Sequence, residues 1–255
     1  MISSNGATAK KIIRNGTGIV CRYNDKVVSD STVTDGLILW FDGNDFINSP
    51  KTTVLRDRSG MGNTGIPSNF AYTGLSGSND LGGIVFNKDS NCITVPYASI
   101  MNMNQEITID CTVLLKSLPS SESNFVDRNG YMGYRIGIHQ AGYIHTTFGW
   151  GASNYYDDYG DSTQPRFVPQ MNRKYNYVWR ASLIDGSSKL TVDGVLFGTR
   201  IMADSIGKQF MAGNTGILIG MMSNGVHMDG IIYSVKVYNR ALTDAELVRN
   251  YNASK

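Results

Sequence analysis

Residues Ile107–Val113 alternate and Leu114 ends the pattern: Ile107, Ile109, Cys111, Val113 and Leu115 are apolar, while Thr108, Asp110 and Thr112 are polar. A period of two is the signature of a strand with one face on a core and one face outward. Such a strand needs neighbours on both edges and a second layer over its apolar face. Runs of the same kind recur along the chain. Gly36–Phe41, Gly83–Phe86 and Cys92–Val95 precede it. Tyr134–His139 and Tyr143–Phe148 flank Gln140-Ala141-Gly142 as a hairpin. Tyr175–Leu183 and Lys189–Val192 follow, and Asp193-Gly194 joins the latter to Val195–Phe197. Asp-Gly is a dipeptide that a two-residue type I′ hairpin turn prefers. Gly216–Ile219 and Gly230–Tyr238 complete the set.

Helical signal is confined to the end. Thr243 begins a T-x-x-E capping box with Glu246, and Leu242 and Leu247 stand where a hydrophobic staple would join them. With 28 glycines, 6 prolines and 41% hydrophobic residues in 255, the composition suits short strands, tight turns and one sizeable core. The expected fold is therefore all-β: an antiparallel β-sandwich of jelly-roll type over residues 35–255, with a short C-terminal helix and an N-terminal arm over residues 1–34. In the arm, Ile12–Arg14 and Ile19–Tyr23 flank Asn15–Gly18 as a hairpin too small to bury a core of its own.

Charge excludes some functions. The net charge of +2 provides no field for nucleic acid. Its basic bias lies in the arm, at Lys10, Lys11, Arg14, Arg22 and Lys26. The opening residues lack an apolar signal-peptide core, and no stretch is long and apolar enough for a membrane helix. Synthesis in a cytoplasm, without membrane insertion, is the expectation. Cys21, Cys92 and Cys111 lack metal-type spacing, and Cys92 and Cys111 sit in apolar strand patterns as small buried hydrophobes.

Four segments in order resemble laminin-G-like jelly rolls of the concanavalin A-like lectin/glucanase superfamily. They are DGLILWFDGND with LRDRSGMGNTG, then GGIVFNKDSNCITVP, then YNYVWRASLIDGSSKLTVDGVLFG, and finally GIIYSVKVYNRALTDAELVRNY. The short basic arm and the V-T-D-G-L that precedes the first strand look like laminin-G-like proteins of bacteriophage virions. The resemblance implies a non-enzymatic virion structural protein of fibre, appendage or decoration type. The arm would contact other virion proteins, and the sandwich would present loops to a host-surface glycan or a protein. A homo-oligomer suits such an appendage, although no pattern encodes its symmetry. A free carbohydrate-binding lectin is the alternative, and a glycoside hydrolase a third.

Two clusters are candidate sites. The resemblance implies a structural calcium at Asp42, Asp57 and Asn63, within an oxygen-rich pair of turns that also holds Asp45 and Ser59. The same residues read equally well as metal-free Asx turns. The second cluster is FGWGASNYYDDYGD at residues 148–161, expected to be an end loop. Trp150, Tyr155, Tyr156 and Tyr159 would stack on sugar C–H faces, while Asp157 and Asp158 would accept from hydroxyls. Packing of the loop, or a protein–protein contact, accounts for the same aromatics. Hydrolysis has less support. A retaining glycosidase needs two carboxyl groups about 5–5.5 Å apart. The only glutamates are Glu106, Glu122 and Glu246, and no two can share one strand face. His139, His145 and His227 show no zinc spacing.

Overall fold

The computed structural model describes residues 31–46, 54–72, 75–78, 82–150 and 165–254, with backbone alone at position 131 and at short strands within 1–30 and 151–164. Contacts divide the chain into two units, Met1–Asp35 with Leu242–Lys255, and Gly36–Ala241.

The first unit opens with β1 (Ser3–Ser4) paired to β2 (Ala7–Thr8). A meander of β3 (Lys11–Asn15), β4 (Gly18–Tyr23) and β5 (Lys26–Ser29) follows. The β3–β4 turn falls where Asn15–Gly18 predicts it. The unit closes with a helix, α1 (Asp244–Ala253). Thr243 accepts from the Glu246 N–H, and the Glu246 carboxylate accepts from the Thr243 N–H, so the capping box is formed. Leu242 and Leu247 are both buried, as a staple requires. Arg249 Nε donates to the Ser31 carbonyl (2.6 Å), and the Val33 N–H donates to Asn250 Oδ1 (2.8 Å). The helix is thereby tied to the chain just before the sandwich.

The second unit runs from β6 (Leu37–Asp42) through β7 (Ile66–Ser68), β8 (Gly77–Ser78), β9 (Ile84–Asn87) and β10 (Cys92–Val95) to β11 (Glu106–Leu115). Next come β12 (Ser123–Arg128), β13 (Tyr134–Ile138), β14 (Ile144–Trp150) and β15 (Asn154–Asp157). The remaining strands are β16 (Lys174–Ser182), β17 (Ser187–Val192), β18 (Val195–Ile201), β19 (Ile217–Ile219) and β20 (Asp229–Tyr238). They form a seven-stranded sheet, β15-β14-β13-β12-β19-β10-β7, and an eight-stranded sheet, β18-β17-β16-β11-β20-β9-β8, with β6 also on β20. Every pairing is antiparallel. Phe125 of one sheet stacks on Tyr177 of the other (5.7 Å), and Phe148 meets Trp179 (5.8 Å), so the core lies between the two layers. This is the expected β-sandwich.

Ile107, Ile109, Cys111, Val113 and Leu115 of β11 all enter the core. Its polar residues were expected to meet solvent, yet Thr108, Asp110 and Thr112 are buried as well. The reason lies in the neighbouring strands. Asn176 Nδ2 on β16 donates to Asp110 Oδ1 (2.7 Å) and to Thr112 Oγ1 (3.2 Å). Lys236 Nζ on β20 stands 3.5 Å from Asp110 Oδ2. A buried polar row is tolerated when its members satisfy one another. Cys111 and Cys92 are free and buried, as their strand positions imply.

Candidate functional site

The first predicted cluster lies where β6 meets the turn Asp57–Asn63. Strand β6 bonds to β20 along one edge. Along the other edge, its exposed backbone groups are taken up by the turn. The Trp40 N–H donates to Asp57 Oδ1 (2.9 Å), the Arg58 N–H donates to the Trp40 carbonyl (2.8 Å), and Asn63 Nδ2 donates to the Ile38 carbonyl (2.7 Å). Asp57 also accepts from Ser59 N (2.9 Å), Ser59 Oγ (2.8 Å) and Asn63 N (2.9 Å). Asp57 and Asn63 thus stand in for a missing neighbour strand, one of the ways an open sheet edge is covered.

Asp42 caps the short 3-10 turn Gly43–Asp45 by accepting from the Asn44 N–H (3.0 Å). Its second oxygen receives Arg58 Nη1. Arg58 grips Asp45 with Nε (2.6 Å) and Nη2 (2.8 Å). Hydrogen bonding from Arg58 holds the Asp45 carboxyl below its ordinary range, and the guanidinium is raised in turn by the same bond. The Arg58 plane lies 5.5 Å from the Trp40 ring. Calcium asks for six to eight unprotonated oxygen ligands on one centre. Here Asp57 is filled by N–H and O–H donors, and a guanidinium stands between Asp42 and Asp45. Among the described residues, no three His, Cys, Asp or Glu side chains converge as a metal site. The arrangement fits an internal arginine and does not fit calcium.

The second cluster is divided. Trp150 ends β14 and is 8% exposed. It belongs to the core cluster, with its ring 5.7 Å from Phe148 and its backbone bridged to Phe210. It presents no open face to a sugar. Residues Asn154–Asp157 are not loop but strand, paired to β14 with Gly149 opposite Tyr155, Phe148 opposite Tyr156 and Thr147 opposite Asp157. Asp158, Tyr159 and Asp161 lie outside the described residues.

Just downstream stands a feature that reading the sequence missed. A cleft of about 440 Å³ opens between the strip Pro165–Arg173 and the β17–β18 hairpin. The strip is pinned at two points. The Ile144 N–H donates to the Phe167 carbonyl (2.9 Å), and the Asn172 N–H donates to the Leu115 carbonyl (2.7 Å). On the hairpin side, Asp193 and Gly194 have φ of 49° and 79°, both positive as a type I′ turn demands. Phe167 meets Phe197 edge to face at 5.3 Å, and it meets Tyr175 at 5.4 Å. Arg173 lies over Tyr175 at 4.6 Å, and its Nη2 stands 3.6 Å from Asp193 Oδ2. Asp193 Oδ1 accepts from the Asn176 N–H (2.9 Å), which orients the carboxylate. Exposure is high for apolar side chains: Val168 64%, Val195 69%, Leu196 54% and Phe197 38%. A signal existed. Val195-Leu196-Phe197 is an apolar triplet after a two-residue turn, and an alternating strand can bury at most part of it.

Several other titratable groups are engaged within the fold. Glu122 pairs with Arg135 (2.9 Å), both buried. The Ala241 N–H donates to Glu106 Oε2 (3.4 Å), and Glu246 serves the capping box. Asp127 accepts from Asn124, Gly130 and Ser223. His145 is fully buried, and desolvation, then Arg135 and His139, push its pKa well below the ordinary value. His227 Nδ1 lies 3.0 Å from the Asn91 carbonyl.

Comparison with known proteins agrees with this architecture. The binding domain of botulinum neurotoxin DC, solved in complex with rat synaptotagmin II, superposes with a TM-score of 0.62 at 15% identity, over 88% of this chain and 53% of that one. Botulinum neurotoxin type C, whose cell entry depends on two ganglioside molecules, gives 0.61 at 15% identity over 87% and 52%. Trypanosoma rangeli sialidase gives 0.56 at 14% identity over 85% and 32%. The chain thus spans about half the length of the toxin domains and about a third of the sialidase. At these identities the likeness is one of fold. No curated protein matches the sequence. A family model described as concanavalin A-like lectin/glucanases superfamily, of laminin G type, matches residues 87–248. That match covers more than half of the chain, and with it the chain belongs to the laminin-G-like part of the concanavalin A-like lectin/glucanases superfamily.

Proposed function

We propose that this chain is a non-catalytic binding protein of a bacteriophage particle, a fibre, appendage or decoration type whose sandwich presents a surface to a glycan or a protein. The observation that carries the reading is the cleft between Pro165–Arg173 and the β17–β18 hairpin. It joins exposed apolar side chains to a partly exposed Arg–Asp pair on a scaffold of paired strands. Binding residues tend to lie on such connections between ordered elements. The disposition of the carboxylates supports a binder over a hydrolase. Glycoside cleavage needs one carboxyl group to protonate the leaving oxygen and a second on the opposite side of the bond. Glu106, Glu122, Glu246, Asp110 and Asp127 each have a backbone or side-chain partner within the fold.

The virion setting rests on the basic N-terminal segment and the V-T-D-G-L entry to the first strand, which resemble laminin-G-like proteins of phage particles. The basic segment would hold the protein to other virion chains. Weak single-site binding would then be multiplied by the number of copies on one particle. The test is twofold. Purified particles should contain the chain by mass spectrometry, and the isolated protein should be retained on host envelopes without releasing reducing ends from their polysaccharides. Absence from particles refutes the virion role, and steady release of reducing ends refutes the non-catalytic one.

A further inference from the structure

We infer that the cleft beside the Asp193-Gly194 turn binds a neutral, pyranose-containing saccharide, with its hydroxyls between Arg173 and Asp193 and a C–H face on Phe197. This rests on the binding reading above and names its ligand class. The separation of 3.6 Å between Arg173 Nη2 and Asp193 Oδ2 is too long for a hydrogen bond, and both side chains are partly exposed, at 56% and 30%. A guanidinium only donates and a carboxylate only accepts. A sugar hydroxyl does both. It can accept from Arg173 while donating to Asp193, and each of those bonds is charge-assisted. The groups are held for this use. Asp193 is fixed by the type I′ turn and by the Asn176 N–H on its other oxygen, and Arg173 lies along the Tyr175 ring.

The apolar side of the cleft complements the other half of a sugar. Phe197 is 38% exposed and is steadied edge to face by Phe167, with Val195 and Leu196 beside it. An aromatic face of this kind covers the axial C–H groups of a pyranose ring. The volume of about 440 Å³ falls within the roughly 300–1,000 Å³ of small-ligand sites. Charge decides among ligand classes. One cation and one anion leave the cleft without net charge, so a neutral saccharide gains both hydrogen bonds. A sialylated or sulfated glycan would gain Arg173 but meet Asp193 repulsively, so its charge brings no net gain. A purely apolar peptide would desolvate the pair while returning no hydrogen bond.

The test is calorimetric titration of the full chain with glucose, galactose, mannose, N-acetylglucosamine and their β- and α-linked disaccharides, with sialyllactose as the acidic comparator. Asp193→Asn is the sharpest variant. Asn-Gly suits a type I′ turn and keeps the acceptor for Asn176, so the fold and melting temperature hold while the anionic acceptor is lost. Arg173→Met and Phe197→Ala probe the other two contacts. At least one neutral sugar should bind, and Asp193→Asn and Arg173→Met should each weaken it by about ten- to a hundred-fold, the factor for one charge-assisted hydrogen bond. Neutral sugar binding left intact by every variant removes the cleft as the site, while the binding reading stands. Retention on host envelopes, lost in these variants but without any neutral sugar bound, overturns the ligand class and keeps the surface. No binding to sugars, envelopes or particle chains overturns both.

Discussion

Replacing Asp57 by alanine should destabilise the fold substantially while leaving the cleft beside Asp193 in place. Asp57 is 8% exposed and accepts from Trp40 N, Ser59 N, Ser59 Oγ and Asn63 N at 2.8–2.9 Å. The two Ser59 donors lie in a turn and can rotate toward water. The N–H groups of Trp40 and Asn63 lose their acceptor in a packed corner, and an orphaned donor of that kind costs about 1–3 kcal/mol. The expected loss is thus about 2–6 kcal/mol, a large share of the roughly 5–15 kcal/mol that holds a folded domain together. For a chain of this size each kcal/mol lowers the melting temperature by about 2–4 °C, so a fall of roughly 5–20 °C follows. Asp57→Asn retains one acceptor oxygen and should lose about half as much. The assay is urea unfolding at neutral pH, with an unchanged slope reporting an unchanged extent of unfolding. It should be run in EDTA and again in calcium. If edge capping is the role of Asp57, the loss is the same in both. A loss below about 1 kcal/mol, or one present only with calcium, refutes the argument.

Other outcomes follow from the same structure. Trp150→Ala should cost about 3–5 kcal/mol, since the ring fills the core beside Phe148, and the surviving folded protein should keep its sugar affinity. His145 is buried and held neutral, with its pKa depressed mainly by desolvation. The unfolded chain protonates it below about 6.5, so its contribution is intact above that value and is lost progressively as pH falls. A melting curve against pH should show this decline, and His145→Gln should flatten it. Thr243→Ala should remove about 1 kcal/mol by opening the capping box, read as a small fall in melting temperature.

The fold was legible wherever one face of a strand was apolar and the other polar. The β11 alternation, the Asp193-Gly194 turn and the Thr243–Glu246 cap all read directly, because each depends on local chemistry. Strand β12 did not. Its register slips between Asn124 and Val126, so Phe125 and Val126 both reach the core and the period of two disappears. A bulge adds one residue and breaks the count on which pattern reading relies. Polar residues of β11 misled for a different reason. Asp110 owes its burial to Asn176 and Lys236, far away in sequence.

The site was legible in part. Asp42, Asp57 and Asn63 do share one corner, as an oxygen-rich turn pair suggests. What the residue types leave open is which donors fill those oxygens, and Arg58 is drawn in by the fold of the turn over β6. Trp150 looks like a binding aromatic beside Tyr155 and Tyr156, yet strand β14 extends far enough to bury it. The cleft depends on the approach of Pro165–Arg173 to a hairpin some twenty residues on, a distance that only tertiary structure closes.

The most direct test of the central claim is the amide NMR spectrum of the protein titrated with the best neutral sugar from the panel. The account predicts shifts confined to residues 165–173 and 192–197, around Arg173 and Asp193, with the sugar recovered unchanged. Shifts centred elsewhere, or the appearance of new anomeric signals from cleavage, would contradict it.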